Sequence, residues 1–157
     1  MGQYHLTLNL DKKEFLNPHH CGDGLKLLEF GCGGSTMTAL AVLLSTSNGL
    51  GGGDLRTEDK TWVGRWAGDR IAVVGDYDEH SPHAGLYRKA SDGEDGWKDV
   101  SFDVMRVLAE DAYLAEDMAK NTWMHGLWKE AGQELPPQMK AAMTRLKKET
   151  KKVAQPA

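Results

Sequence analysis

The sequence predicts an α+β fold. Extended segments fill the first two thirds of the chain, apolar residues at helical spacing fill the last third, and no regular strand–helix alternation links them. The expected sheet is small and mostly antiparallel, with strands near residues 3–10, 62–66, 70–77 and 86–90. A helix at 36–44 and a set of C-terminal helices pack against it. Residues 1–150 form the expected single domain, and 151–157 a flexible basic tail.

Each element has a local reason. Tyr4, Leu6, Leu8 and Leu10 alternate with His5, Thr7 and Asn9, the period of a strand with one buried face and His5 on the other. Leu25 to Phe30 is too short for its period to choose between strand and helix. Thr36 to Leu44 suits a helix capped by Ser35 or Thr36 and stopped at Asn48-Gly49. Gly49-Leu50-Gly51-Gly52-Gly53 opens a loop reaching about Lys60, whose glycines mark either mobility or close backbone approach. Trp62–Trp66, the turn Ala67-Gly68-Asp69 and Arg70–Tyr77 read as a β-hairpin. Ile71 to Val74 is apolar enough there to be covered on both faces. Leu86 to Ala90 reads as a further strand. Ser101 then caps a helix with Val104, Val107, Leu108, Ala112, Ala115 and Met118 on one stripe. A second helix runs from about Asn121 to Lys129, and Pro136-Pro137 opens a third along Met139, Ala142, Met143 and Leu146.

At 157 residues the chain can bury roughly two thirds of the surface it exposes unfolded. No apolar run approaches the ~20 residues of a membrane helix, and the N-terminus lacks a secretory pattern. A cytoplasmic protein without membrane contact is therefore expected. Cys21 and Cys32 are too few for a disulfide framework and are expected as reduced thiols. The net charge of −4 speaks against general nucleic-acid binding. Charge is uneven, however: Lys140, Arg145, Lys147, Lys148, Lys151 and Lys152 stand against Glu149 alone. That basic segment, 140–152, is the one suited to nucleic acid or an acidic partner.

Chemistry is most legible at Gly31-Cys32-Gly33-Gly34-Ser35-Thr36. An extended segment, a glycine turn and a hydroxyl-opened helix can aim free N–H groups and a helix dipole at an anion. The Lys that a Walker-type loop requires before Ser35 is absent. Leu28-Glu29-Phe30-Gly31-Cys32-Gly33 resembles the first motif of the class I methyltransferases, which bind S-adenosylmethionine. The resemblance implies that Glu29 ends a strand and that Gly31 and Gly33 form the turn beneath the methionine moiety. Ligand-binding candidates are thus Glu29, Gly31, Gly33, Ser35 and Thr36, joined by Asp76 from the end of the strongest strand.

Trp62, Arg65, Trp66 and Arg70 form a second group. Aromatics beside arginines make a recognition surface, and parity on the hairpin puts Trp62 and Trp66 on one face with Arg65 opposite. Metal-ligand types occur at His19, His20, Cys21 and Cys32, and at Asp76, Asp78, His80 and His83, without the paired spacing of a structural zinc site. No metal site, cofactor or catalytic residue is assigned. Met1-Gly2-Gln3-Tyr4, Asn9-Leu10-Asp11-Lys12, Gly22–Glu29 and Gly64–Arg70 together resemble a group of small uncharacterised proteins of bacteria and their phages, over residues 1–80. The functional expectation is a small cytoplasmic binding or regulatory protein with a protein or small-molecule partner. The alternative is an enzyme that uses the turn at 31–36 for a nucleotide- or S-adenosylmethionine-type cofactor.

Overall fold

Alternation along the first strand sets the architecture. The computed structural model describes residues 2–48 and 52–153, the last two by their backbone only. Strand β1 (His5–Asn9) turns through a tight bend into β2 (Glu14–Leu16). The Asn9 side chain shapes that bend by accepting from the amides of Asp11 and Lys12 at 3.0 and 2.9 Å. Strand β3 (Ile71–Gly75) pairs antiparallel with the other side of β1, with Thr7 opposite Val73. The short β4 (Lys98–Asp99) pairs parallel with β2, giving the order β3-β1-β2-β4. The α+β class holds, and the sheet is mixed: two antiparallel pairs and one parallel.

Eight helices surround this sheet among the described residues: α1 (Pro18–Cys21), α2 (Leu27–Gly31), α3 (Ser35–Leu44), α4 (Leu86–Ser91), α5 (Ser101–Leu108), α6 (Ala112–Lys120), α7 (Thr122–Glu130) and α8 (Pro137–Val153). Leu6, Leu8, Phe15 and Val74 pack on one sheet face with Ala90, Trp97, Leu86 and Tyr87. The larger core joins Leu16 to Ala39, Leu43, Trp66, Val104, Met105, Leu108, Met124, Trp128 and Met139 from the helices.

Four expectations are corrected. Thr7 and Asn9 are buried, so β1 is covered on both faces rather than one, because β1 is a central strand with helices on its second side. Ile71–Val74 belongs to an edge strand, and Val73 is 48% exposed; an unbroken apolar run cannot tell edge from centre. Leu86–Ala90 is helix α4, not strand, with Leu86, Tyr87 and Ala90 turned to the sheet at helical spacing. Residues 62–66 form successive turns, not a hairpin arm. These turns donate Gly64 N–H to Val42 O at 3.0 Å and Trp66 N–H to Leu43 O at 2.8 Å, supplying donors to the last carbonyls of α3.

The predicted single helix from Ser101 is divided at Ala109–Asp111, where Asp111 caps α6 through the amides of Tyr113 and Leu114. Helices α7 and α8 lie where their stripes place them. The expected tail at 151–157 begins inside α8, which continues to Val153. Gly49 to Gly51 and residues 154–157 lie outside the described residues.

Candidate functional site

The bend between α2 and α3 is built differently from the motif it resembles. Leu27–Gly31 is helical, so Glu29 does not end a strand; its carboxylate reaches back to the Lys26 amide at 3.1 Å. Gly34 caps α3, with Ser35 and Thr36 as the first helical residues. The N–H groups expected to face a ligand face Asp23 instead. Its carboxylate accepts from the Ser35 amide at 3.2 Å, the Thr36 amide at 2.7 Å and the Thr36 hydroxyl at 2.6 Å. A carboxylate at a helix N-terminus satisfies donors and dipole together. The chain thus supplies its own anion. A Cβ on Gly34 would collide with that same carboxylate, so the close approach requires glycine there.

Beside the bend lies a cavity of about 250 Å³ lined by Asp23, Gly33, Gly34, Ser35 and Thr38 with Met105, Leu108, Asp117 and Asn121. Neither Glu29 nor Asp76 reaches it. Asp76 follows β3 and accepts from the Tyr4 amide at 3.0 Å. Asp78 holds the next turn through Ser81, whose hydroxyl and amide keep its carboxyl below the usual carboxylate range.

The tryptophan–arginine group is divided between interior and surface. Trp66 is fully buried, and its indole N–H donates to Glu14 at 2.8 Å. Arg65 clasps the same carboxylate, Nη2 to Oε1 at 2.5 Å, while its guanidinium lies 5.0 Å from the Trp62 ring centroid. Arg70 pairs with Asp11 at the surface. Of the four, Trp66 and Arg65 serve the interior. The hairpin parity that joined Trp62 to Trp66 does not exist, because the segment turns rather than extends.

His19 and His20 diverge. His19 sits edge-on to Trp123 with centroids 5.0 Å apart, and burial lowers its pKa. His20 stacks on Phe102 and bonds to Asp99. Cys21 is fully buried, which drives its thiol pKa far upward and makes it inert; Cys32 is exposed. Among the described residues no three His, Cys, Asp or Glu side chains are grouped to hold a metal ion.

A second concavity, about 770 Å³, was not legible in the sequence. One wall is the outer face of α3 at Thr38, Ala41, Val42 and Ser45. The opposite wall is the start of α6 at Asp111–Leu114, and Gly53–Arg56 with Val63 closes the end. The described segments flanking the glycine loop are tied to each other. Asn48 Nδ2 donates to Leu55 O at 2.8 Å, and Leu55 N–H returns to Asn48 Oδ1 at 2.9 Å. Further on, Glu110 accepts from the Thr57 hydroxyl at 2.5 Å and the Glu58 amide at 3.1 Å. The described part of this loop is therefore anchored on both sides of the cleft. Its size suits a small molecule, and its lining is mixed: Val42, Leu55, Val63, Ala112 and Leu114 give apolar surface, and Asp54, Arg56 and Asp111 bring charge of both signs. No signal of pattern could have found this cleft, because its walls lie about 70 residues apart in the chain.

Among the described residues no helix is long and apolar enough to cross a membrane. No protein-family model, no curated protein and no solved structure matches the chain.

Proposed function

We propose that this protein works by binding a small, largely apolar molecule in the cleft between α3 and α6. The supporting observation is the cleft itself: about 770 Å³, apolar surface from Val42, Leu55, Val63, Ala112 and Leu114, and a rim segment fixed by Asn48 and Glu110. Sites of a few hundred to a thousand Å³ with a few placed polar groups are the usual form of small-molecule pockets. Arg56 offers a cation to a ligand that carries an acidic group at one end. The reading includes a regulatory role in the cytoplasm of a bacterium or its phage, supported by the resemblance carried by residues 1–80. A cofactor phosphate or carboxylate at the glycine bend would have to displace Asp23, so the bend supports a cofactor enzyme less well than the cleft supports binding.

Thermal-shift screening against a library of small apolar acids and neutral molecules tests the reading. A ligand at a hundred times its Kd adds about 2.7 kcal/mol, a rise of roughly 5–10 °C for a chain of this size. Ala41 is exposed on the cleft wall, so Ala41→Trp fills the space without disturbing the core. The variant is expected to keep the ligand-free Tm and lose the shift. A ligand that stabilises both proteins equally, or a library that stabilises neither, ends the proposal.

A further inference from the structure

His20, Asp99 and Asn17 meet at a bay distinct from the cleft. This cavity, about 270 Å³, has Phe15, Ala90 and Trp97 as its apolar floor. Ser91-Asp92-Gly93 forms the rim. His20 Nδ1 lies 2.5 Å from Asp99 Oδ2, across 79 residues of sequence. The other oxygen of Asp99 accepts from the Ser101 amide at 2.8 Å, so the carboxylate cannot swing away. The imidazole stacks on Phe102 with centroids 4.3 Å apart, and Phe102 sits edge-on to buried Trp128. Trp128 Nε1 closes the circuit by donating to the His20 carbonyl at 2.8 Å. Ring plane, ring rotation and backbone are all held.

That fixation has a chemical direction. A carboxylate on Nδ1 selects the tautomer with its proton there and leaves the lone pair on Nε2. Nε2 has no partner among the described residues. Asn17 stands in the same bay, and its Oδ1 is spent on the His19 amide at 3.0 Å. Its Nδ2 is therefore the remaining end, and among the described residues it donates to nothing. A positioned base, its orienting carboxylate and an unspent amide donor share one apolar-floored hollow.

We propose that this bay hydrolyses neutral carboxylic esters, with His20 as catalytic base, Asn17 as oxyanion donor and Asp99 as positioning residue. A solvent water gives a proton to Nε2 as its oxygen bonds to the ester carbonyl carbon. The carbonyl oxygen takes the negative charge and accepts from Asn17 Nδ2. The intermediate collapses by breaking the bond to the alcohol oxygen, which recovers the proton from His20. One carboxylic acid and one alcohol leave, and the neutral imidazole is restored. The substrate carries no negative charge because Asp92 on the rim and Asp99 on the wall repel anions, and the apolar floor of Phe15 and Trp97 takes its acyl group.

The probe is p-nitrophenyl acetate with the full chain. Saturable hydrolysis is expected, faster than free imidazole at six times the protein concentration, to match the six histidines. His20→Gln is expected to lower kcat by about 10²-fold. Asp99→Asn is expected to reduce kcat with KM nearly unchanged, a split that loss of a merely structural ion pair would not produce. Should His20→Gln fail to fold, wild-type protein treated with diethyl pyrocarbonate replaces it: activity must fall in step with modification of His20, read by peptide mass. A rate no greater than free imidazole overturns the proposal. So does activity that survives His20→Gln or complete modification of His20.

Discussion

Glu14 concentrates the physical conflicts of this protein in one side chain. It is 5% exposed on β2, where burial alone would push its carboxyl upward. Hydrogen bonds from Arg65 and Trp66, with the Arg65 charge, outweigh that and hold it below the usual carboxylate range. A carboxyl depressed in the folded state adds stability above its unfolded pKa of about 4.3. That stability is lost as pH falls through the folded value. Glu14→Gln keeps an acceptor for the Trp66 indole but removes the charge. It is expected to cost about 1–3 kcal/mol at pH 7. Urea midpoints of the two proteins should converge as pH falls toward 3; a gap that persists there would contradict the charge as its origin. Arg65 and Trp66 looked like a recognition surface because residue type does not record what a side chain faces. Their partner lies 51 and 52 residues earlier, beyond any local pattern.

At the level of elements, α3 shows which features are local and which are lent. Its apolar run and its hydroxyl start were legible, and the helix lies where they place it. Its cap was not, because Asp23 comes from twelve and thirteen residues upstream across α2. Asp23→Ala removes that cap at a cost of about 1 kcal/mol and frees the Ser35 and Thr36 amides. Added sulfate should then raise the Tm of the variant more than that of wild type. Equal sulfate effects would show that the bend holds no anion even when vacated. Helix α4 teaches the converse lesson. Five residues, Leu86 to Ala90, fit two periods equally, and Arg88 and Lys89 are good helix formers outside the core. The turns at 62–66 were lost for another reason. Gly64 has φ +74°, and a Cβ there would come within 2.6 Å of the Ser45 carbonyl oxygen, a docking contact with α3 that no strand pattern encodes.

Across the whole molecule, α8 outruns its own packing. Its stripe of Met139, Ala142, Met143 and Leu146 meets the core, and residues 147–151 are all exposed. Arg145 ties it to Glu116 of α6 at 2.5 Å. Removing residues 147–157 is therefore expected to shift Tm by no more than about 2 °C, since surface changes rarely exceed ~0.5 kcal/mol. A larger fall in a thermal melt would mean that the basic end docks on the body. The sequence by itself determined the α+β class, the places of β1, α3, α7 and α8, and the lack of a membrane-length apolar run. Each depends on periodicity within one segment, which neighbouring residues suffice to express. Tertiary structure decided that β3 is an edge, that Asp23 fills the glycine bend, that Trp66 is core, and that a cleft and a histidine bay exist. Those depend on which distant segments meet, and a contact between residues many positions apart leaves no periodic trace in either one.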